Sequence, residues 1–169
     1  MGAQGQGIDA TTARWVMIPR VLVLVFEGGD VLLMKRGEHR RVFPNQYNGL
    51  GGHVERGEHP GETATREVME ESGISLRDVR LRGIHHIDAG AADTGIVMYV
   101  FSAQANSRDI TVTTDEGTLE WIPVEDVAGL DVVEDLPIVL PRIMGMADDA
   151  PPYLAHVGYN AKDKIVIRG

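Results

Sequence analysis

Two short apolar runs, Val21 to Phe26 and Val31 to Met34, flank Gly28-Gly29, a pattern that predicts a tight hairpin between largely buried strands. Leu81 to Ile87 and Ile96 to Ala103 read as two more strands parted by a turn over Asp88 to Gly95, and Leu119 to Ile122 adds another. A last hairpin is expected to join Tyr153 to Tyr159 with Lys164 to Ile167 across Asn160 to Asp163. Helical spacing occurs twice. Pro60 suits a first helical position and Gly73 the residue just past an end, which predicts a helix from about His59 to Ser72 with few apolar positions, Ala64, Val68 and Met69. Val133 to Met146 has helical spacing too, with Pro137 in a first turn and Pro141 as an expected kink. Leu50 to Val54 is too glycine-rich to pack by side chains alone, which marks a place where backbone approaches something closely. Strand runs with little alternation, flanked by two helices, predict an α/β fold with a mixed sheet covered on both faces.

Composition narrows the setting. A chain of 169 residues has the size of one domain, expected over 13–169, behind a Gly- and Gln-rich tail over 1–12 that lacks any apolar period. Hydrophobic residues make up 43%, no apolar run approaches the ~20 residues that span a bilayer, and the N-terminus lacks a basic segment leading into an apolar one. A soluble, unexported protein with no membrane partner is therefore expected, acting as a monomer or homodimer. The absence of cysteine rules out disulfides and thiolate metal sites and fits a cytoplasmic location. A formal charge of -9 argues against a nucleic-acid partner, because phosphate backbones are held by clustered Lys and Arg. It also repels nucleotides at long range, so a small phosphorylated substrate would need local neutralisation.

The chemistry concentrates between Gly52 and Ile74, where Gly52, Glu58, Arg66, Glu67, Glu70, Glu71 and Gly73 follow one another in a fixed spacing. At about 100° per residue, Glu67, Glu70 and Glu71 fall within roughly 100° of one helix face. Like charges on adjacent turns destabilise a bare helix. Protonation would relieve that repulsion, and so would a divalent cation that keeps all three ionised. Mg²⁺ takes one or two carboxylates from protein and its remaining ligands from water and substrate phosphates, which makes a phosphate ester or anhydride the inferred substrate. Arg66 lies one turn before Glu70 and can orient that carboxylate or Glu58 by a charge-assisted bond.

The whole pattern, glycine, five residues, glutamate, seven residues, then Arg-Glu-aliphatic-any-Glu-Glu-any-Gly-aliphatic, resembles the Nudix box without a departure. That resemblance implies a Nudix-type α/β/α sandwich with a central mixed sheet, the box forming a loop, helix and loop at the sheet's end. It implies a hydrolase of nucleoside diphosphates linked to another group, dependent on Mg²⁺ with Mn²⁺ able to substitute, acting on a small-molecule nucleotide. Metal ligation falls to Glu67, Glu70 and Glu71, Glu71 above all, and to the Gly51 carbonyl. Water attacks a phosphorus of the diphosphate, and its proton goes to a general base. Two carboxylates stand open for that part: Glu67 in the box, and Glu116 in Thr114-Asp115-Glu116-Gly117, a segment similar to the acidic loop that approaches the metals in MutT-type enzymes. The plainer reading of Glu116 is a solvated turn residue.

Substrate recognition is drawn from the flanks. Leu33 to Gly37 and Tyr47 to Gly52 are similar to segments of enzymes hydrolysing oxidised purine nucleoside triphosphates such as 8-oxo-dGTP, in which the asparagine at the place of Asn48 reads the base. Asn48 also suits a turn beside Gly49. Arg36 is placed either on a phosphate or at a strand end in solvent. Gly52 and His53 are further substrate-binding candidates; His53 stands where the family often has lysine and Tyr47 where it often has tryptophan, so phosphate contacts and base stacking are expected to differ from the family's. Glu134 and Asp135 take the place of acidic base-reading residues ahead of the last helix, or answer that helix's dipole. His85-His86 is structural, since adjacent strand residues point to opposite faces and cannot share one ion. Two alternatives share the box. Cleavage of ADP-ribose or diadenosine polyphosphates is often marked in the family by a proline or tyrosine some 16 to 18 residues past the box, where this chain has Gly90, Ala91 and Ala92. A non-catalytic nucleotide-binding regulator would have no need of the glutamates, all of which are present.

Overall fold

A computed structural model describes residues 14–169, and the tail expected over 1–12 lies outside the described residues. The elements are β1 (Val16–Glu27), β2 (Asp30–Arg36), β3 (Tyr47–Asn48), α1 (Pro60–Ser72), β4 (Leu76–Ile87) and β5 (Thr94–Ala105). Then follow β6 (Gly117–Pro123), a 3-10 turn over Val124–Gly129, α2 (Leu136–Met144), β7 (Tyr153–Tyr159) and β8 (Ile165–Arg168). The strands form one sheet in the order β3-β2-β1-β5-β4-β7-β8, with β6 on β2. β1 runs parallel to β5 and β4 parallel to β7, while the other pairs are antiparallel, so the sheet is mixed as expected.

The run from Val21 to Val25 lacks alternation because both of its faces are buried. Val21, Val23 and Val25 pack with Ala64 and Val68 of α1, with Leu50, Ile74 and Phe101 filling the layer. Leu22 and Leu24 face the other way, onto Leu136, Val139, Leu140 and Ile143 of α2. Two helices on opposite faces complete an α/β/α sandwich.

The ends of the helices follow from local chemistry. His59 caps α1: its Nδ1 accepts from the Gly61 and Glu62 amides at 3.1 and 3.3 Å, and Glu62 Oε2 accepts from the His59 amide at 3.0 Å. That is a capping box with imidazole in the place usually taken by a hydroxyl. Gly73 ends α1 at φ 75, a left-handed conformation that costs glycine little. α2 begins later than the apolar spacing implies. The Val133 amide donates to the Tyr47 carbonyl at 3.1 Å and Val132 bridges Tyr47, so this stretch is extended, and the helix starts at Leu136 and continues through Pro141. His85 is 1% exposed and bonded to the Tyr153 hydroxyl at 2.8 Å, while His86 is exposed, so the two do point apart.

One departure from regular pairing positions the acidic helix. β1 and β2 pair only between Val25–Glu27 and Asp30–Leu32. Beyond that point the loop after β3 takes the place of β2 beside β1, with bridges Val23 to Leu50 and Arg20 to His53. Leu50 is the one large apolar side chain of this loop in the core. Leu50→Ala is expected to cost about 2–5 kcal/mol in urea unfolding, as buried leucine truncations do; a loss under about 0.5 kcal/mol would show that the loop is not anchored through it.

Candidate active site

The loop Gly49 to Val54 is built against two neighbours at once. Val21 and Val23 donate their amides to the carbonyls of Gly52 and Leu50 at 2.9 and 2.8 Å, and Val54 donates to Pro19 at 3.1 Å. Gly51 has φ 141, and a Cβ there would strike the Val21 carbonyl. A Cβ on Gly52 would overlap the carboxylate of Glu67. These are the close approaches that the glycine-rich stretch implied, one to backbone and one to a box glutamate. The Gly51 carbonyl, between two that are bonded, accepts no backbone hydrogen bond among the described residues.

Arg66 organises the acidic side. Its Nε and Nη2 bind Glu58 at 2.7 and 3.0 Å, its Nη1 binds both Glu67 and Glu70 at 3.0 Å, and Nη2 also donates to the His53 carbonyl at 3.3 Å. Thr63 adds a 2.8 Å bond to Glu58. Held by Arg66 first and Thr63 second, the Glu58 carboxyl drops to about 2. Both partners expected for Arg66, Glu70 and Glu58, are therefore engaged, and Glu67 is a third.

Glu71 lies apart from that network. It is 8% exposed, and its Oε2 accepts from the Gly51 amide at 3.1 Å. Burial is the main reason its carboxyl rises to about 8; the Gly51 bond opposes the rise, and the negative fields of Glu67 and Glu116 add to it. Burial first, then the fields of Glu70 and Glu116, raise Glu67 despite its bond to Arg66. Glu116 thus reaches the acidic cluster from the loop before β6, where its carbonyl accepts from Gly37 at 2.8 Å and its carboxylate pairs with Arg40 at 3.4 Å. Glu70 is the outlying member, its side chain 59% exposed.

Among the described residues no three of these carboxylates converge closely enough to hold an ion as they stand. The physical reason is visible: Arg66 draws Glu67 and Glu70 to itself, and Glu71 turns to Gly51. The donor set nonetheless fits a hard divalent cation. Carboxylate oxygens of Glu67, Glu71 and Glu116 and the free Gly51 carbonyl are oxygen ligands, and a buried carboxyl raised to about 8 is a group short of positive charge.

The flanking residues divide. Arg36 ends β2 with its Nε on the Val42 carbonyl at 2.9 Å, and its positive field reaches Glu71. Asn48 Oδ1 accepts from the Gly49 amide at 2.8 Å, a turn arrangement. Glu134 is committed elsewhere, to Lys164 Nζ at 2.8 Å and the Ile165 amide at 3.2 Å in the last hairpin. Asp135 precedes α2 without a side-chain cap bond, and burial raises its carboxyl. His53 Nε2 accepts from Arg20 Nε at 3.1 Å. Sequence reasoning missed Arg20 and Arg40: each meets its partner across distant segments, and no local spacing announces either pair. Gly90, Ala91 and Ala92 lie in the turn between β4 and β5. Among the described residues no helix is long and apolar enough to cross a membrane.

Comparison with known proteins agrees with this geometry. Residues 17–143 match the NUDIX domain family, three-quarters of the chain. The nucleoside triphosphatase NudI of Escherichia fergusonii is 28% identical over 123 residues, covering 66% of this chain and 86% of that protein; NudI of Salmonella schwarzengrund is 29% identical over the same length. The MutT protein of Bacillus halodurans superposes with a TM-score of 0.68 at 22% identity, covering 90% of this chain and 97% of that one. The NUDIX domain of Shewanella oneidensis NrtR, solved with ADP ribose, gives 0.68 at 16% identity, covering 85% and 97%. At such identities the solved structures speak for the fold alone. The match over residues 17–143, with every position of the box in place on a loop and helix, makes this chain a member of the NUDIX family, hydrolases of phosphoric anhydrides that use divalent metal ions.

Proposed function

We propose that the chain is a Mg²⁺-dependent pyrophosphohydrolase of nucleoside triphosphates, a MutT-like house-cleaning enzyme that removes oxidised purine nucleotides from the cytoplasmic pool, with residues 13–169 acting as one domain. The observation that carries the reading is Glu71, a carboxyl buried at the junction of α1 and the glycine loop, bonded to the Gly51 amide and raised to about 8 chiefly by burial. The names of its relatives, nucleoside triphosphatase and MutT protein, support the substrate class.

In this reading Glu67, Glu71, Glu116 and the Gly51 carbonyl would hold the metal, joined by Glu70 once it leaves Arg66, and the bound ion would supply activation of water and relief of charge on the phosphoryl oxygens. Arg66 is a positioning residue, since all its donors are spent on Glu58, Glu67, Glu70 and the His53 carbonyl. Glu67 in the box, bonded to Arg66, and Glu116 in the loop before β6 are the two candidate proton acceptors. Gly52 lets the phosphate chain lie close to the loop, flanked by Arg36 and His53. Asn48 reads the base by releasing Gly49, with Asp135, which has no side-chain cap bond at the start of α2, as its acidic partner. Glu134 serves the last hairpin in this form.

Two predictions test the reading. Glu71→Gln is expected to leave the fold intact while lowering turnover at least about a hundredfold; full activity would disprove the assignment. Substrate class is settled by ranking catalytic efficiency across 8-oxo-dGTP, the ordinary dNTPs, ADP-ribose and diadenosine polyphosphates with MgCl2. Preference for either of the last two would replace the MutT-like reading.

The metal-free protein should also respond to pH. Between 4.5 and about 8 the folded state keeps a proton on Glu71 that the unfolded chain has released. Unfolding therefore releases a proton, and stability falls as pH rises, by at most about 1.4 kcal/mol per pH unit. His85, pushed down to about 4 chiefly by burial, works oppositely but only up to its unfolded value of 6.5. In EDTA, Tm is expected to fall from about pH 7 to about pH 8.5, less so in Glu71→Gln, and MgCl2 should remove the difference. Equal slopes in the two proteins would show that Glu71 is not the titrating group.

A further inference from the structure

The loop that carries Gly51 and Gly52 has two sides. Gly51 and Gly52 meet Glu71 and Glu67 on the α1 side. His53, the next residue, bridges Arg20 of β1, and Arg20 stands in register with Met98 on the face that α2 covers. A cation is thus seated one residue beyond the glycine that abuts the glutamates, on the opposite face of the loop.

Its bonding sets it apart from Arg66 and Arg40 and leaves it, like Arg36, with donors to spare. Arg66 is spent on three carboxylates and a carbonyl, Arg40 pairs with Glu116, and Arg36 uses its Nε on Val42. Arg20 commits only Nε, to His53 Nε2 at 3.1 Å, and among the described residues its two terminal nitrogens have no hydrogen-bond partner and no carboxylate within the 4.0 Å of an ion pair. It is nonetheless half-buried beside the apolar Met98. The Arg20–His53 bond is open to solvent, so the two uncommitted terminal nitrogens are accessible to an anion. Because Nε2 accepts, the imidazole carries its proton on Nδ1, and the bond fixes the direction of both side chains.

We propose that Arg20 is a substrate-binding residue, its guanidinium held by His53 so that the two terminal nitrogens clamp a phosphate of the substrate as the chain passes over the loop from the α2 face to the glutamates. This rests on the nucleotide-hydrolase reading for the identity of the substrate, but not for the presence of an anion site. A planar fork suits two oxygens of one phosphate, and the position supplies the positive charge that His53, in the place of the family's frequent lysine, does not bring on its own.

The test uses the full chain in two arms. In the first, inorganic tripolyphosphate is titrated calorimetrically into Glu71→Gln protein with MgCl2, with and without Arg20→Gln. In the second, KM and kcat are measured for whichever nucleotide the wild type turns over. Arg20→Gln is expected to raise both Kd and KM about tenfold or more, with kcat within about threefold and Tm unchanged. Arg20→Lys should recover part of the loss, and His53→Gln, which keeps an acceptor for Nε, should retain more affinity than His53→Ala. Unchanged Kd and KM would overturn the proposal, and so would a fall in kcat alone or a loss that tracks Tm. If the wild type cleaves no nucleotide, the functional reading fails while the tripolyphosphate arm still decides Arg20.

Discussion

Loop, helix and acidic cluster are held in one arrangement by a single guanidinium. Arg66 is bidentate on Glu58, shares Nη1 between Glu67 and Glu70, and reaches the His53 carbonyl. Charge-assisted bonds of this kind are shorter and stronger than neutral ones, and the planar fork sets directions as well as energies. Without that cation α1 would present three carboxylates on adjacent turns to a loop that carries a fourth. The helix itself would survive, because its His59 cap and its Ala64 and Val68 packing do not involve Arg66. The approach to it over Glu55 to Glu58 would keep only the Thr63 hydroxyl as a link to the helix side chains.

The second constraint is steric and lies in the sheet. β2 leaves β1 after three paired residues, and the vacated edge of β1 is taken by Leu50 to Val54. Backbone there sits against backbone at Gly51 and against a carboxylate at Gly52. Leu50 pins this segment into the α1 layer, so the core of the protein and the placement of Glu67 and Glu71 are one packing problem. A change in the Val21–Val25 strand would be felt at the glutamates through the three backbone hydrogen bonds that join Val21 and Val23 to Leu50 and Gly52.

Most of the architecture was legible because it is written in local pattern. The β1–β2 hairpin, the span of α1 between Pro60 and Gly73 and the final hairpin all follow from apolar runs broken by turn residues. The start of α2 was not, because the pairing of Val132 and Val133 with Tyr47 is a tertiary contact that overrides helical spacing. The site divides the same way. Arg66 with Glu58 and Glu70 could be foreseen from helix geometry. Arg20 with His53, Arg40 with Glu116 and Lys164 with Glu134 could not, since each joins segments whose adjacency only the folded sheet creates.

The division of labour among the arginines bears on how so acidic a protein can accept a phosphorylated ligand. With a formal charge of -9, the long-range field is repulsive, but salt at physiological strength screens it beyond about 8 Å. What counts is the charge within that radius. There the acidic side is already balanced in part by Arg66, which has no donor left to give, so attraction for an incoming anion must come from cations whose donors are not all committed. Arg36 at the end of β2, whose field reaches Glu71, and Arg20, bonded to His53 just past the glycine pair, are such groups. A ligand held between them would have its phosphate chain drawn across Gly51 and Gly52, which are bare of side chains, and so within reach of Glu67 and Glu71. On the proposal made for Arg20, the glycines would open the path and the two guanidiniums would give it direction.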